Sequence, residues 1–80
     1  MKVSVLGFGI VREIFGNPSI CADVPENATI GDLRGLLEHQ YPRLTQLASY
    51  MVAQNNRYAE AADFLLLENE IAIIPPVSGG

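Results

Sequence analysis

"TIGDLRGLLEHQYP", residues 29–42, is the one segment with a clear helical signature. Ile30, Leu33, Leu36 and Leu37 recur at the spacing that places them on one face of a helix. Thr29 suits the N-terminal cap, because its hydroxyl can accept from a backbone N–H that the first turn leaves unpaired. Asp32 adds a negative charge beside the positive end of the helix dipole. Tyr41-Pro42 ends the segment, since the residue before proline resists α geometry. A short further turn is expected through Leu44, Leu47 and Ala48.

Strands flank this helix on both sides. Residues 2–11, "KVSVLGFGIV", form a β-rich run in which Val3 and Val5 alternate with Lys2 and Ser4. "GNPS" at 16–19 is turn chemistry, and "ICADV" at 20–24 returns as a second strand, so 2–24 reads as a hairpin with a longer loop. Residues 49–54 read as a third strand. Asn55-Asn56 is a two-residue turn, because asparagine enters positive φ more easily than most residues. "RYAE" begins the return strand. Residues 61–67 are ambiguous between helix and strand. Glu68-Asn69 is a turn before a last strand at 70–74. The order is β-β-α-β-β-β, with one helix covering one face of a mixed sheet. That order predicts an α+β roll of the β-grasp, ubiquitin-like kind.

Eighty residues make one domain, 1–80, with a modest core, since a chain of this size buries about 60–65% of its unfolded surface. The single Cys21 excludes an internal disulfide framework and a cysteine-built zinc site. No long apolar run or leader pattern is present, which makes a soluble cytoplasmic protein the expectation, with no membrane partner. The net charge is −4, and the basic residues Lys2, Arg12, Arg34, Arg43 and Arg57 are scattered. Nucleic-acid binding needs a clustered basic footprint, so it is set aside. An acidic chain favours a basic partner surface instead.

The side chains offer no catalytic constellation. His39, the only histidine, lies near a helix C-terminus, where an imidazole suits the dipole, and it has no second ligand for a metal. Cys21 has apolar neighbours in a strand and reads as an inert packed thiol. "GFG" at 7–9 lacks both the third glycine and the following helix of a phosphate loop. Gly7 and Gly9 read as a bulge or a place where another backbone comes close. No metal or cofactor site is expected.

The chemical group that stands out is the carboxylate at the end of "IAIIPPVSGG", 71–80. Pro75 and Pro76 remove two backbone donors and stiffen the departure from the sheet. Val77 and Ser78 follow, and Gly79 and Gly80 make a tip without side chains, thin enough to thread a narrow channel. Strand, stalk and tip project the terminal carboxylate toward another protein's active site. The residues alone also admit a frayed end without consequence. A carboxylate is a poor acylating group and must be activated, usually as an acyl-adenylate. The chain has no phosphate loop, so a partner must use the ATP.

"IAIIPPVSGG", "VREIFG" and "TIGDLRGLL" together resemble the small subunit of molybdopterin synthase. That family lies among the ubiquitin-like β-grasp sulfur carriers, which include the thiamine thiazole carrier. The resemblance runs nearly the whole chain. It implies that Gly80 is adenylated by an enzyme similar to ubiquitin-activating enzymes and converted to a thiocarboxylate with sulfur from a sulfur-donating enzyme. The tail, residues 75–80, then enters the large synthase subunit and gives sulfur to a pterin precursor. The family's complex is a heterotetramer of two large and two small subunits. The resemblance also implies that Phe8, Tyr58 and Ile74 face the partner and that Arg12 contacts it. If Val3, Val5, Ile71 and Ile73 face the helix, then Leu6, Phe8, Tyr58, Ala72 and Ile74 share the opposite face, and clustered exposed apolar residues suggest binding. For Arg12, a surface ion pair with Glu13 or another acid is the other reading. Where the family often has Asp-Gly before the last strand this chain has Glu68-Asn69, and Gln54 stands where an apolar residue is usual. A ubiquitin-like modifier conjugated through Gly80 is the alternative function. The thiazole carrier is a further one, although it usually lacks the double proline.

Overall fold

The computed structural model describes residues 1–47, 49–66 and 70–76. Alternation sets the first strand: in β1 (Lys2–Gly7) Val3, Val5 and Gly7 are buried while Lys2 and Ser4 are exposed. β2 (Ser19–Asp23) pairs antiparallel with β1. The long helix α2 (Ile30–Gln40) follows, then a short 3-10 helix at Pro42–Gln46, where one further turn was expected. β3 (Met51–Gln54) and β4 (Arg57–Tyr58) form a hairpin, and β5 (Ile71–Ile74) is last. Asn55 and Asn56 both hold positive φ, 55° and 63°, as the two-residue turn requires.

The sheet order is β2-β1-β5-β3-β4. The first and last strands lie side by side and parallel, with antiparallel partners on either flank. Parallel strands cannot be joined by a tight turn, so the chain must travel round the sheet between them, and α2 lies on that route. This is the mixed sheet and single principal helix of a β-grasp roll.

The start of α2 shows why the helix begins where it does. Four N–H groups at a helix start have no partner within the helix. Here Ile30 N donates to the Asp63 carbonyl at 2.8 Å and Gly31 N to the Ala61 carbonyl at 2.9 Å. Asp32 N donates to Thr29 Oγ1, while Leu33 N makes the first ordinary helical bond, to the Thr29 carbonyl. Thr29 N in turn donates to Asp32 Oδ2 at 2.9 Å, which closes a capping box. The helix start is thereby tied to residues 61–63. Those residues form a turn, and Phe64 makes a single antiparallel bridge with Thr29. Ile30, Leu33 and Leu37 pack beneath Val3, Val5, Ile71 and Ile73 as the centre of the core.

The structure corrects three expectations. The run 2–11 is not all strand: β1 stops at Gly7, and Ile10–Phe15 form a short second helix, α1. Val11 and Phe15, four residues apart, are its buried face, and that spacing is helical rather than period two. Gly16, at φ 77°, ends it in the left-handed conformation. The return strand after Asn56 is shorter than "RYAE", with only Arg57 and Tyr58 in it. Cys21 is exposed rather than packed: it sits opposite Ser4 on the outer face, while Ala22 points inward. The Glu68-Asn69 turn and Ala48 lie outside the described residues.

Candidate partner face and tail root

The face of the sheet away from α2 is built by the strand register. Leu6 is opposite Ala72, Ala72 is opposite Ala53, and Ala53 is opposite Tyr58. Residues directly opposite share a face, so these four form one row across four strands. The middle of the row is two alanines and its ends are bulky. Phe8, Tyr58 and Ile74 stand around the small floor of Ala53 and Ala72 and line one open groove of about 420 Å3. Phe8 is 49% exposed and Tyr58 67%, while Ile74 is half-buried. Met51, opposite Ile74, adds a further exposed apolar side chain to this face.

Three of the four side chains picked from the sequence for partner contact therefore share a groove. Arg12 lies beside it. It is exposed on α1 and borders a recess shared with Leu6, Phe8 and Pro18. Among the described residues Arg12 forms no ion pair, so the surface pair with Glu13 is not made. Ala53 and Met51 were missed by the sequence reading. Their signal was period two through "MVAQ", which puts them opposite the buried Val52.

The root of the tail is also defined. Phe8 N donates to the Ile73 carbonyl at 3.3 Å, which carries the β1–β5 pairing one residue beyond Gly7. Pro75 and Pro76 follow Ile74 and are half-buried. A Cβ added to Gly9 would lie 3.1 Å from Pro75 Cγ, so Pro75 lies close against bare backbone. At Gly7 an added Cβ would meet Phe15 Cδ2 at 2.8 Å and the Arg12 backbone nitrogen at 3.1 Å. The "GFG" glycines thus mark close approach, by α1 at one and by Pro75 at the other. Val77, Ser78, Gly79 and Gly80 lie outside the described residues.

Gln54, the departure from the family pattern, has a structural task. Its Nε2 donates to the Phe64 carbonyl at 3.1 Å and its Oε1 accepts from Leu66 N at 3.0 Å. One side chain thus serves both backbone groups of the neighbouring loop, as a strand would. Among the described residues the most perturbed ionisable group is Tyr50, which does not line the groove. Burial pushes its hydroxyl above the ordinary tyrosine value, the hydrogen bond to Glu38 adds to this, and Arg34 opposes it. Arg34 also stacks over the Tyr50 ring at 4.7 Å. Among the described residues no group of histidine, cysteine and acidic side chains could hold a metal, and no helix is long and apolar enough to cross a membrane.

The sequence pattern of the ThiS family matches residues 5–80. The chain belongs to the ThiS family. A relative of this ThiS-family chain, the molybdopterin synthase sulfur carrier subunit of Dictyostelium discoideum, is 40% identical over 83 residues, which cover 99% of this chain and 96% of its own. Among solved structures, SAMP1 from Haloferax volcanii superposes with a TM-score of 0.85 at 26% identity, covering all of both chains. A protein–protein complex of subunits 1 and 2 of molybdopterin-converting factor from Helicobacter pylori contains a chain of the same fold, with a TM-score of 0.70 at 23% identity and full coverage of both chains. The resemblance read from "PPVSGG" and from the order of elements is thus matched across the length of the ThiS-family chain.

Proposed function

We propose that this chain is the sulfur carrier of a molybdopterin synthase, a single carrier domain whose residues 75–80 are the working tail. The observation that carries the reading is the end-to-end similarity to sulfur carrier subunits, 40% identical in the Dictyostelium relative. The position of the tail root supports it: β5 passes directly from the groove residue Ile74 into Pro75 and Pro76.

In this reading the Gly80 carboxylate attacks the α-phosphorus of ATP in an adenylating partner. Pyrophosphate leaves and an acyl-adenylate forms. A sulfide equivalent from a sulfur-donating enzyme adds at the acyl carbon and AMP leaves, giving the thiocarboxylate. The tail enters the large synthase subunit, sulfur passes to the pterin precursor, and water restores the carboxylate. This chain supplies no catalytic side chain and binds no cofactor; ATP belongs to the activating partner. Its own tasks are to present the carboxylate on a thin tip and to dock. Phe8, Tyr58 and Ile74 give docking an apolar centre, and Arg12 gives it a charged edge that can meet a carboxylate. Such a carrier works in the cytoplasm, where its partners are.

Deleting Gly80, or extending the chain beyond it, is expected to abolish molybdopterin formation while leaving the denaturation midpoint unchanged. Normal formation by an untrimmed extended chain would overturn the reading. A second reading has one observation in its favour, the likeness to the Haloferax SAMP1 structure, a small archaeal modifier protein. Activated Gly80 would then acylate lysines of other proteins, and isopeptide-linked products would distinguish it.

A further inference from the structure

We propose that Gly9 is a positioning residue for the tail: its bare backbone is the seat for Pro75, and it sets the direction in which the chain leaves the sheet. The proposal rests on the carrier reading for its consequence, but the seat itself is a matter of geometry.

Three observations meet at this point. Among the described residues, the hydrogen bond from Phe8 N to the Ile73 carbonyl is the last one that ties β1 to β5 before the two strands part. Past it, Gly9 turns the chain into α1 with φ 54° and ψ −128°, a conformation that side-chain-bearing residues rarely adopt. Val11 N donates to the Phe8 carbonyl at 3.0 Å, which fixes the far side of the same corner. Past the end of β5, Pro75 has no N–H and cannot continue the ladder. Its ring lies instead over the space that a side chain at Gly9 would fill: a Cβ there would lie 3.1 Å from Pro75 Cγ. Any side chain at position 9 must push the ring away or give way itself.

Gly9 is also the neighbour of Phe8, a wall of the groove. The seat therefore links the direction of the tail to the docking face. A carrier must place a terminal atom in a remote active site, where a displacement of about 1 Å can cost about a hundredfold in rate. Displacing Pro75 should leave docking intact and spoil delivery.

The seat is tested first by NMR on the isolated chain. A nuclear Overhauser contact between the Gly9 Hα and Pro75 ring protons is expected; its absence overturns the proposal whatever the tail does. The second arm is a double-mutant cycle of Gly9→Ala and Pro75→Ala, read as single-turnover formation of the Gly80 adenylate and as affinity for the activating enzyme. Gly9→Ala is expected to slow adenylate formation by about tenfold or more with unchanged affinity. In the Pro75→Ala background the same change is expected to cost clearly less, because the ring it displaces is gone and only the backbone strain of a side chain at the Gly9 φ of 54° remains. Equal effects in the two backgrounds would overturn the proposal. If Gly9→Ala does not fold, Pro75→Ala alone decides: a severalfold slower rate supports the seat and an unchanged rate overturns it. A wild-type chain that forms no adenylate refutes the carrier reading, while the Overhauser contact still judges the seat.

Discussion

The two faces of the five-stranded sheet are made of similar residues and have opposite fates. On one, Val3, Val5, Ile71 and Ile73 lie under α2 and are almost completely buried. On the other, Phe8 and Tyr58 are exposed, Leu6, Ala53, Ala72 and Ile74 are half-buried, and all but Leu6 line an open groove. An antiparallel or mixed sheet can leave one face in water, but that face is then usually polar. Here the uncovered side is apolar through β5 and β3, at Ala72, Ile74, Met51 and Ala53, and joins Leu6 at the end of β1, whose earlier outward residues are Lys2 and Ser4. The chain has one long helix and can cover only one side. Apolar surface left exposed on the uncovered side adds little to the isolated fold, which is why the docking role is assigned to it.

The contrast can be broken from either side. The largest effect belongs to the covered face. Ile73→Ala removes a fully buried side chain from the centre of the core and is expected to cost roughly 2–5 kcal/mol, measured as a lowered midpoint in urea unfolding. The open face should answer differently. Phe8→Asp or Ile74→Asp is expected to weaken binding to the large synthase subunit by about 2 kcal/mol or more, seen by calorimetric titration. For the half-exposed Phe8 the unfolding midpoint should barely move. A large stability loss at Phe8 with unchanged affinity would erase the distinction between the faces.

Smaller effects sharpen the description of the covered face. Thr29→Ala removes the capping hydroxyl that Asp32 N uses, and a loss of about 1 kcal/mol is expected in the same unfolding assay. Tyr50 adds an alkaline dependence. Its hydroxyl in the folded chain holds its proton to higher pH than in the unfolded chain, where the ordinary value is 10.0. The unfolded state therefore loses that proton first. The stability from this group is fully present below about pH 10 and is lost as pH rises through the folded value. Tyr50→Phe should flatten that part of the pH–stability curve, and an unchanged slope would count against the burial of the Tyr50 hydroxyl and its bond to Glu38.

The parts of this arrangement that were legible in the sequence are those written in local chemistry. Thr29 and Asp32 marked the start of α2, Pro42 marked its end, and the two asparagines marked the turn between β3 and β4. Val3 and Val5 gave the inward face by alternation. What escaped is what depends on distant residues. Gly9 turns the chain into α1 with Pro75 close beside it, so "GFGIV" looked like continued strand although Val11 and Phe15 carry a helical spacing. Cys21 looked packed because its sequence neighbours are apolar, whereas its partner across the strands is the exposed Ser4. Gln54 looked like an oddity until the loop at Phe64 and Leu66 was found beside it. Within the candidate site, Phe8, Tyr58 and Ile74 were found from the resemblance, and Ala53, the floor between them, needed the register.

The central claim is that the reacting group is the carboxylate of Gly80 and that other chains act on it. Intact-mass measurement of the chain isolated from its own cell tests this most directly. A fraction in which one oxygen of the last residue is replaced by sulfur is the predicted result. A terminus that is never sulfurated, with Gly80 instead joined to lysines of other proteins, would contradict it.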